Sequence, residues 1–180
     1  MSKNSDLLHH SSTCVRANNP LIRCLLSNGF VLSAITLLSA LLRLRHLGGK
    51  SFWVDEAFSA VIAAAPWHDF WQQIRTTELN MLPYYLLLRA WIHLGNSEAW
   101  LRSLSALFGI ATVPAVYLLG SRLFSTRVGL LSAALLAVHP GHVAFSQEAR
   151  SYSMTVMLLV VAGILLLDAI AHPRKATWGK

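Results

Sequence analysis

Two adjacent carboxylates, Asp55 and Glu56 in FWVDEAFSA, are the first residues of this 180-residue chain whose type and setting could do chemistry. They follow a long apolar run, and acids placed where a chain leaves a bilayer are costly unless wet, paired or used. A carboxylate there could be a general base that takes a proton from a hydroxyl attacking a reactive carbon. It could equally cap a helix, because Asp55 precedes a helical pattern and negative charge favours a helix N-terminus. Both readings hold together, since a carboxylate fixed at a helix start is also well oriented.

Two arginines form the complementary set. Arg150, in SQEARSY, offers a fork of donors suited to phosphate oxygens. Its plainer reading is snorkelling or pairing with Glu148. Arg102 has the same two readings. Glu78 and Asn80, in TTELNMLPYY, either bind a polar substrate or cap the following helix. In that helix Tyr85, Arg89 and His93 share one stripe, while Leu87, Leu88 and Trp91 face lipid or core. His139 and His142 stand three apart in HPGH, but Pro140 and Gly141 break a regular helix there, so a single His142 beside the outer site is favoured over a zinc pair. Asp168 is explained by pairing with Arg174 or lipid head groups. No P-loop, GxGxxG, GxSxG, HExxH or CxxC motif is present, which argues against standard nucleotide, hydrolase and redox sites.

The elements that must position these residues are those of a membrane protein. Hydrophobic residues make up 54% of the chain and charged ones 13%, about half the share of a soluble domain. Disorder is excluded by the same apolar content. Four apolar stretches, near 25–44, 99–119, 128–145 and 153–171, have lengths suited to crossing a bilayer. Between the first two lies an insert, 46–98, that holds five of the eight acids. Phe58, Val61, Ile62 and Ala65, then Trp67, Phe70, Trp71 and Ile74, recur at helical spacing, as in helices lying at the bilayer interface. PYYLLLRAWIHLG is too short to span at 1.5 Å per residue and carries Arg89 and His93. It reads as a third juxtamembrane helix.

Charge bias orients these elements. Lys3, Arg16, Arg23, the gap SRLFSTR and the tail HPRKATWGK are basic and hence inside, which places the insert and SQEARSY outside. The expected organisation is a polar cytoplasmic tail (1–24), a transmembrane domain (25–171, outer loop 46–98) and a basic cytoplasmic tail (172–180). Cys14 and Cys24 fall on the inner side, where a disulfide is not expected. The net charge of +7 is split among these gaps rather than forming one basic stripe, so no nucleic-acid partner is expected.

FWVDEAFSA, the block ELNMLPYYLLLRAWIHLGNSEAWLRSLSALFGIATVPAVYLLGSRLF and HPGHVAFSQEARSYSM occur in the order and spacing of a known family. Over roughly residues 25 to 170 the chain resembles the N-terminal part of bacterial family 39 glycosyltransferases, related to protein O-mannosyltransferases and to RgtA/B/C/D-like membrane transferases. The resemblance implies an all-α, polytopic GT-C fold with juxtamembrane helices in an outer loop. It implies a polyprenyl-phosphate sugar donor, a lipid, glycan or protein acceptor, and inversion. It assigns Asp55 as the general base with Glu56 beside it, and Arg102 and Arg150 to the lipid phosphate. Glu78, Asn80, Tyr85, Arg89, His142, Glu148 and Tyr152 are the remaining substrate-binding expectations. A nucleotide diphosphate is not required and no cofactor is assigned; a divalent ion stays open, because some enzymes of this fold use one and others do not.

Members of that family are longer, with further spans, so the chain is expected to be an N-terminal catalytic portion or one half of a split enzyme with a complementary membrane half. The expected location is a bacterial inner membrane. Two rival readings are an inactive truncated membrane protein and a small transporter subunit. The second predicts charges along the middle of spans, which are nearly absent here.

Overall fold

The computed structural model describes residues 27–45, 47–49, 51, 53–76 and 79–172, and every regular element among them is helical. Helix α1 spans Asn28–Leu44. The insert then forms α2 (Val54–Ala64), α3 (Trp67–Thr76), a 3₁₀ turn (Leu79–Met81) and α4 (Leu82–Ile92). Four helices follow among the described residues: α5 (Glu98–Leu123), α6 (Thr126–Val138), α7 (Pro140–Ser146) and α8 (Tyr152–Ala171).

Local chemistry sets the starts. Ser27, Ser97 and Ser125 each accept the backbone N–H three residues on, at 3.2–3.4 Å, and so cap α1, α5 and α6. Pro66 precedes α3, and Pro83 lies in the first turn of α4, where no intrahelical N–H is needed.

Helix α5 is the centre of the bundle, with α1, α6 and α8 packed against it. Small residues permit the closest approach. A Cβ on Gly129 of α6 would lie 2.6 Å from the Tyr117 carbonyl oxygen of α5, so only glycine fits there. Val113, Ala133 and Ala137 fill the interior, with Leu32 and Ile35 of α1 against them. Helices α5 and α8 are long and apolar enough to cross a membrane. Leu159, Leu165, Leu166 and Ile170 of α8 are exposed, as expected of a lipid-facing helix.

The stretch expected as one span over 128–145 is two helices, α6 and α7, bent by 61°. Pro140 has no N–H to continue the ladder, and the residue before a proline is driven out of the helical region. His139 is extended accordingly (φ −62°, ψ 117°), and its Nδ1 accepts the His142 N–H at 3.2 Å to start α7. Counted as one broken span, the pair makes three candidate spans among the described residues; α1, with 17 residues, is apolar but shorter than the other candidates.

The insert has its own apolar core. Ile62 of α2, Phe70 and Ile74 of α3, and Tyr84 and Leu88 of α4 are fully buried together against Leu101 and Leu104 of α5. Tyr85 is buried with them, which corrects the stripe expected to join it to Arg89 and His93: α4 is covered by α2 on one side and α5 on another, so its apolar face is broader than a single stripe. Trp91 and Trp100 stack with centroids 4.9 Å apart, and each indole N–H donates to the other residue's carbonyl at 3.0 Å. That pair closes the turn between α4 and α5.

Candidate active site

The site is built around the N-terminus of α2. Glu56, at the third position of that helix, is 1% exposed. Its Oε1 accepts Arg102 Nε–H at 2.8 Å and the Ala149 N–H at 2.8 Å; its Oε2 accepts Arg102 Nη2–H at 2.7 Å and the Trp53 N–H at 3.2 Å. One carboxylate therefore ties together the start of α2, the first turns of α5 and the 147–151 turn. Burial alone would raise the Glu56 carboxyl, but the hydrogen bonds from Arg102, Ala149 and Trp53 outweigh it and hold the group below the usual glutamate range.

Arg102 completes this brace. Besides Glu56, it donates to the carbonyls of Leu47 at 2.8 Å and Ser51 at 3.2 Å, which fixes the chain between α1 and α2. The resemblance places Arg102 at a lipid phosphate; in the structure its guanidinium is directed into the protein.

Asp55 has the opposite environment. Its side chain is 72% exposed and its Oδ2 lies 3.9 Å from Nη2 of Arg150. Trp53, Val54, Asp55, Glu56, Glu148 and Arg150 line a cavity of about 270 Å³. Arg150 is itself nearly buried, also reaches the Asp55 carbonyl at 3.5 Å, and sits 5.7 Å from the centre of the Tyr152 ring. Arg150 thus meets Asp55 and also acts on Glu148, the partner considered from sequence. Glu148 is raised above the usual range, first by burial and then by the nearby Glu56 carboxylate, against the pull of Arg150.

The 147–151 turn that carries Glu148 and Arg150 is anchored from three sides. Gln147 Nε2 donates to the carbonyls of Leu42, Arg43 and Arg45. Ala149 N–H reaches Glu56. Ser105 Oγ–H donates to the Arg150 carbonyl at 2.9 Å and also lies 2.8 Å from Tyr84 Oη. Gln147 and Ser105 carry no signal in the sequence alone; only the QEAR context marks Gln147.

The structure thus brings Asp55, Glu56, Glu148 and Arg150 to one cavity, with Arg102 bonded to Glu56 and Tyr152 beside Arg150. It does not bring Arg89, Tyr85, Asn80 or His142 to the same cavity. Arg89 Nη1 donates to the carbonyls of Ala63 and Ala65, and its guanidinium lies 4.2 Å from the Trp67 ring centre. It caps the far end of α2, about 12 Å along the helix from Glu56. Asn80 is exposed in the 3₁₀ turn. His142 is buried against Arg43, whose Nη2 donates to its Nδ1 at 2.8 Å. Glu78 lies outside the described residues, as does Arg174; Asp168 meets Arg122 at 2.7 Å. Among the described residues no three His, Cys, Asp or Glu side chains are grouped to hold a metal ion.

Comparison with known proteins agrees with this architecture. The family described as dolichyl-phosphate-mannose-protein mannosyltransferase matches residues 80–179. That segment carries Arg102, Glu148 and Arg150 but begins after Asp55 and Glu56. No curated protein and no solved structure matches the chain.

Proposed function

The chain belongs to the dolichyl-phosphate-mannose-protein mannosyltransferase family of membrane glycosyltransferases, and on that premise we propose that it transfers a sugar from a polyprenyl-phosphate donor to a hydroxyl acceptor at the outer face of a bacterial membrane, with inversion. The observation that carries this reading is the exposed Asp55 carboxylate beside the nearly buried Arg150 guanidinium, 3.9 Å apart on the wall of one cavity.

The acceptor oxygen attacks the anomeric carbon on the side opposite the phosphate. Its proton passes to Asp55, the bond from the anomeric carbon to the phosphate oxygen breaks, and the bonding pair leaves on that oxygen. Arg150 stabilises the charge that develops there, in a site where burial strengthens the interaction. Glu56 is a positioning residue in this scheme. Its oxygens already accept four N–H groups, so it holds α2 and the 147–151 turn in register rather than moving a proton.

The test is sugar transfer by the whole protein in membranes, using labelled polyprenyl-phosphate mannose. Asp55→Asn is expected to lower the rate by roughly 100-fold or more, the usual worth of a general base, with membrane insertion unchanged. Transfer at the normal rate would reject Asp55 as the base.

A further inference from the structure

Where α1 and α6 end, each helix leaves backbone carbonyls that its own ladder cannot satisfy. Helix α1 ends at Leu44 and α6 ends at Val138, the latter forced by Pro140. Between apolar helices such carbonyls must find donors within the protein.

The two ends are satisfied by each other's neighbours. Arg43, in the last turn of α1 and fully buried, sends Nη1 to the Ala137 carbonyl at 3.0 Å and Nη2 to the Leu136 carbonyl at 3.2 Å. In return Gln147, which follows α7, sends Nε2 to the carbonyls of Leu42 at 3.0 Å and Arg45 at 3.0 Å, and to Arg43 at 3.3 Å. Arg43 is further fixed by Ser39 Oγ at 2.6 Å and by His142 Nδ1. A guanidinium has only donors, so His142 Nδ1 is the acceptor and Arg43 also sets the orientation of α7. Close packing holds the arrangement: a Cβ on Gly109 of α5 would fall 3.1 Å from Arg43 Nε and 2.7 Å from Ser146 Cβ.

We propose that Arg43 and Gln147 form a reciprocal clasp between the end of α1 and the broken helix pair α6–α7, and that Gln147 is the positioning residue that holds the 148–150 turn, and so Glu148 and Arg150, against Asp55 and Glu56. Gln147 is directly followed by Glu148, and Ala149 N–H is bonded to Glu56 at 2.8 Å. Loss of the Gln147 grip leaves the turn held only by its later residues. This inference rests on the reading of the Asp55–Arg150 cavity as the site of transfer, but the clasp is measured without turnover.

The experiment uses the whole protein in nanodiscs. Backbone hydrogen exchange is followed for the peptide containing residues 147–151, and turnover is followed with polyprenyl-phosphate mannose as the probe. Gln147→Leu keeps the size and removes the donors. It should speed exchange of the 148–150 amides at least tenfold while those of 104–118 in α5 stay unchanged, and it should lower kcat at least tenfold. Gln147→Lys, which restores a donor, should recover most of both. If Gln147→Leu is not recovered from membranes, Gln147→Asn gives the same reading with a shortened reach and a smaller rise in exchange. Exchange at 148–150 that is unchanged by removal of the donors overturns the clasp. Faster exchange in Gln147→Leu together with a wild-type protein inert toward the probe supports the clasp and counts against the transfer reading instead.

Discussion

Arg102 grips Glu56 through two parallel hydrogen bonds, Nε to Oε1 at 2.8 Å and Nη2 to Oε2 at 2.7 Å, with both side chains almost fully buried. The partners are 46 residues apart and join the outer loop to the bundle. Removing one partner of such a pair leaves a buried charge unmatched, which typically costs about 3–5 kcal/mol. Glu56→Ala and Arg102→Ala should therefore each lower the unfolding temperature sharply in detergent. Arg102→Lys should rescue little, because an ammonium cannot reproduce the fork that reaches Glu56, Leu47 and Ser51 together. A small shift for all three variants would show the pair to be incidental.

Asp55→Asn separates stability from chemistry. The side chain is largely exposed, so its replacement should change stability by no more than about 0.5 kcal/mol. The expected pattern is a normal unfolding temperature with transfer nearly lost. Glu56→Gln should show the reverse order of effects, with instability preceding any change in rate per folded molecule.

Glu148 and Glu56 should titrate in opposite senses. The Glu56 carboxyl is lowered, so its contribution is present above the unfolded value and is lost as pH falls through the lower folded value. The Glu148 carboxyl is raised by burial and by Glu56. Its contribution is complete below the unfolded value and is lost as pH rises through the raised folded one. Unfolding temperatures of wild type and Glu148→Gln, measured from acid to neutral pH, should diverge in favour of the variant as pH rises. Parallel curves would remove Glu148 from the buried charge cluster.

Arg89→Ala tests whether that residue binds substrate or caps a helix. The structure gives its donors to the C-terminal end of α2 and its face to Trp67. Stability should fall by about 1–3 kcal/mol, the cost of leaving partly buried carbonyls unpaired, while KM for polyprenyl-phosphate mannose as the probe stays within twofold. A raised KM with normal stability would restore the substrate role.

Gly129→Ala probes the closest helix contact. An added methyl would meet backbone atoms, the Tyr117 oxygen at 2.6 Å and the Ser121 nitrogen at 2.9 Å, which cannot swing aside. Overpacking of this kind costs about 1–3 kcal/mol, readable as a lowered unfolding temperature.

Much of this fold was legible in the chain. The apolar run of 153–171 appears as α8, Tyr152–Ala171, and the amphipathic repeats around Val61 and Phe70 appear as α2 and α3, because hydrophobic spacing is a local property. The motifs DEAF and QEAR pointed to the residues that line the Asp55–Arg150 cavity. Their division of labour was not legible. Whether Asp55 or Glu56 faces water depends on where Arg102 and Ala149 arrive in space, which no local pattern encodes. Pro140 reads as a helix breaker within one apolar run, but the Arg43 donors that make a break there tolerable lie over 90 residues upstream. Tyr85 went to the core because α4 is covered on two sides, a property of its neighbours rather than of its own sequence.

The bend at His139–Pro140 also concerns the lipid. At 1.5 Å per residue, α5 is about 39 Å long, whereas α1 reaches about 26 Å and α6 about 20 Å before the turn. A bilayer of uniform thickness cannot match all three, so it must dimple beside the short pair or the long helix must tilt. The α1–α6 flank is the side of the bundle on which such thinning would fall.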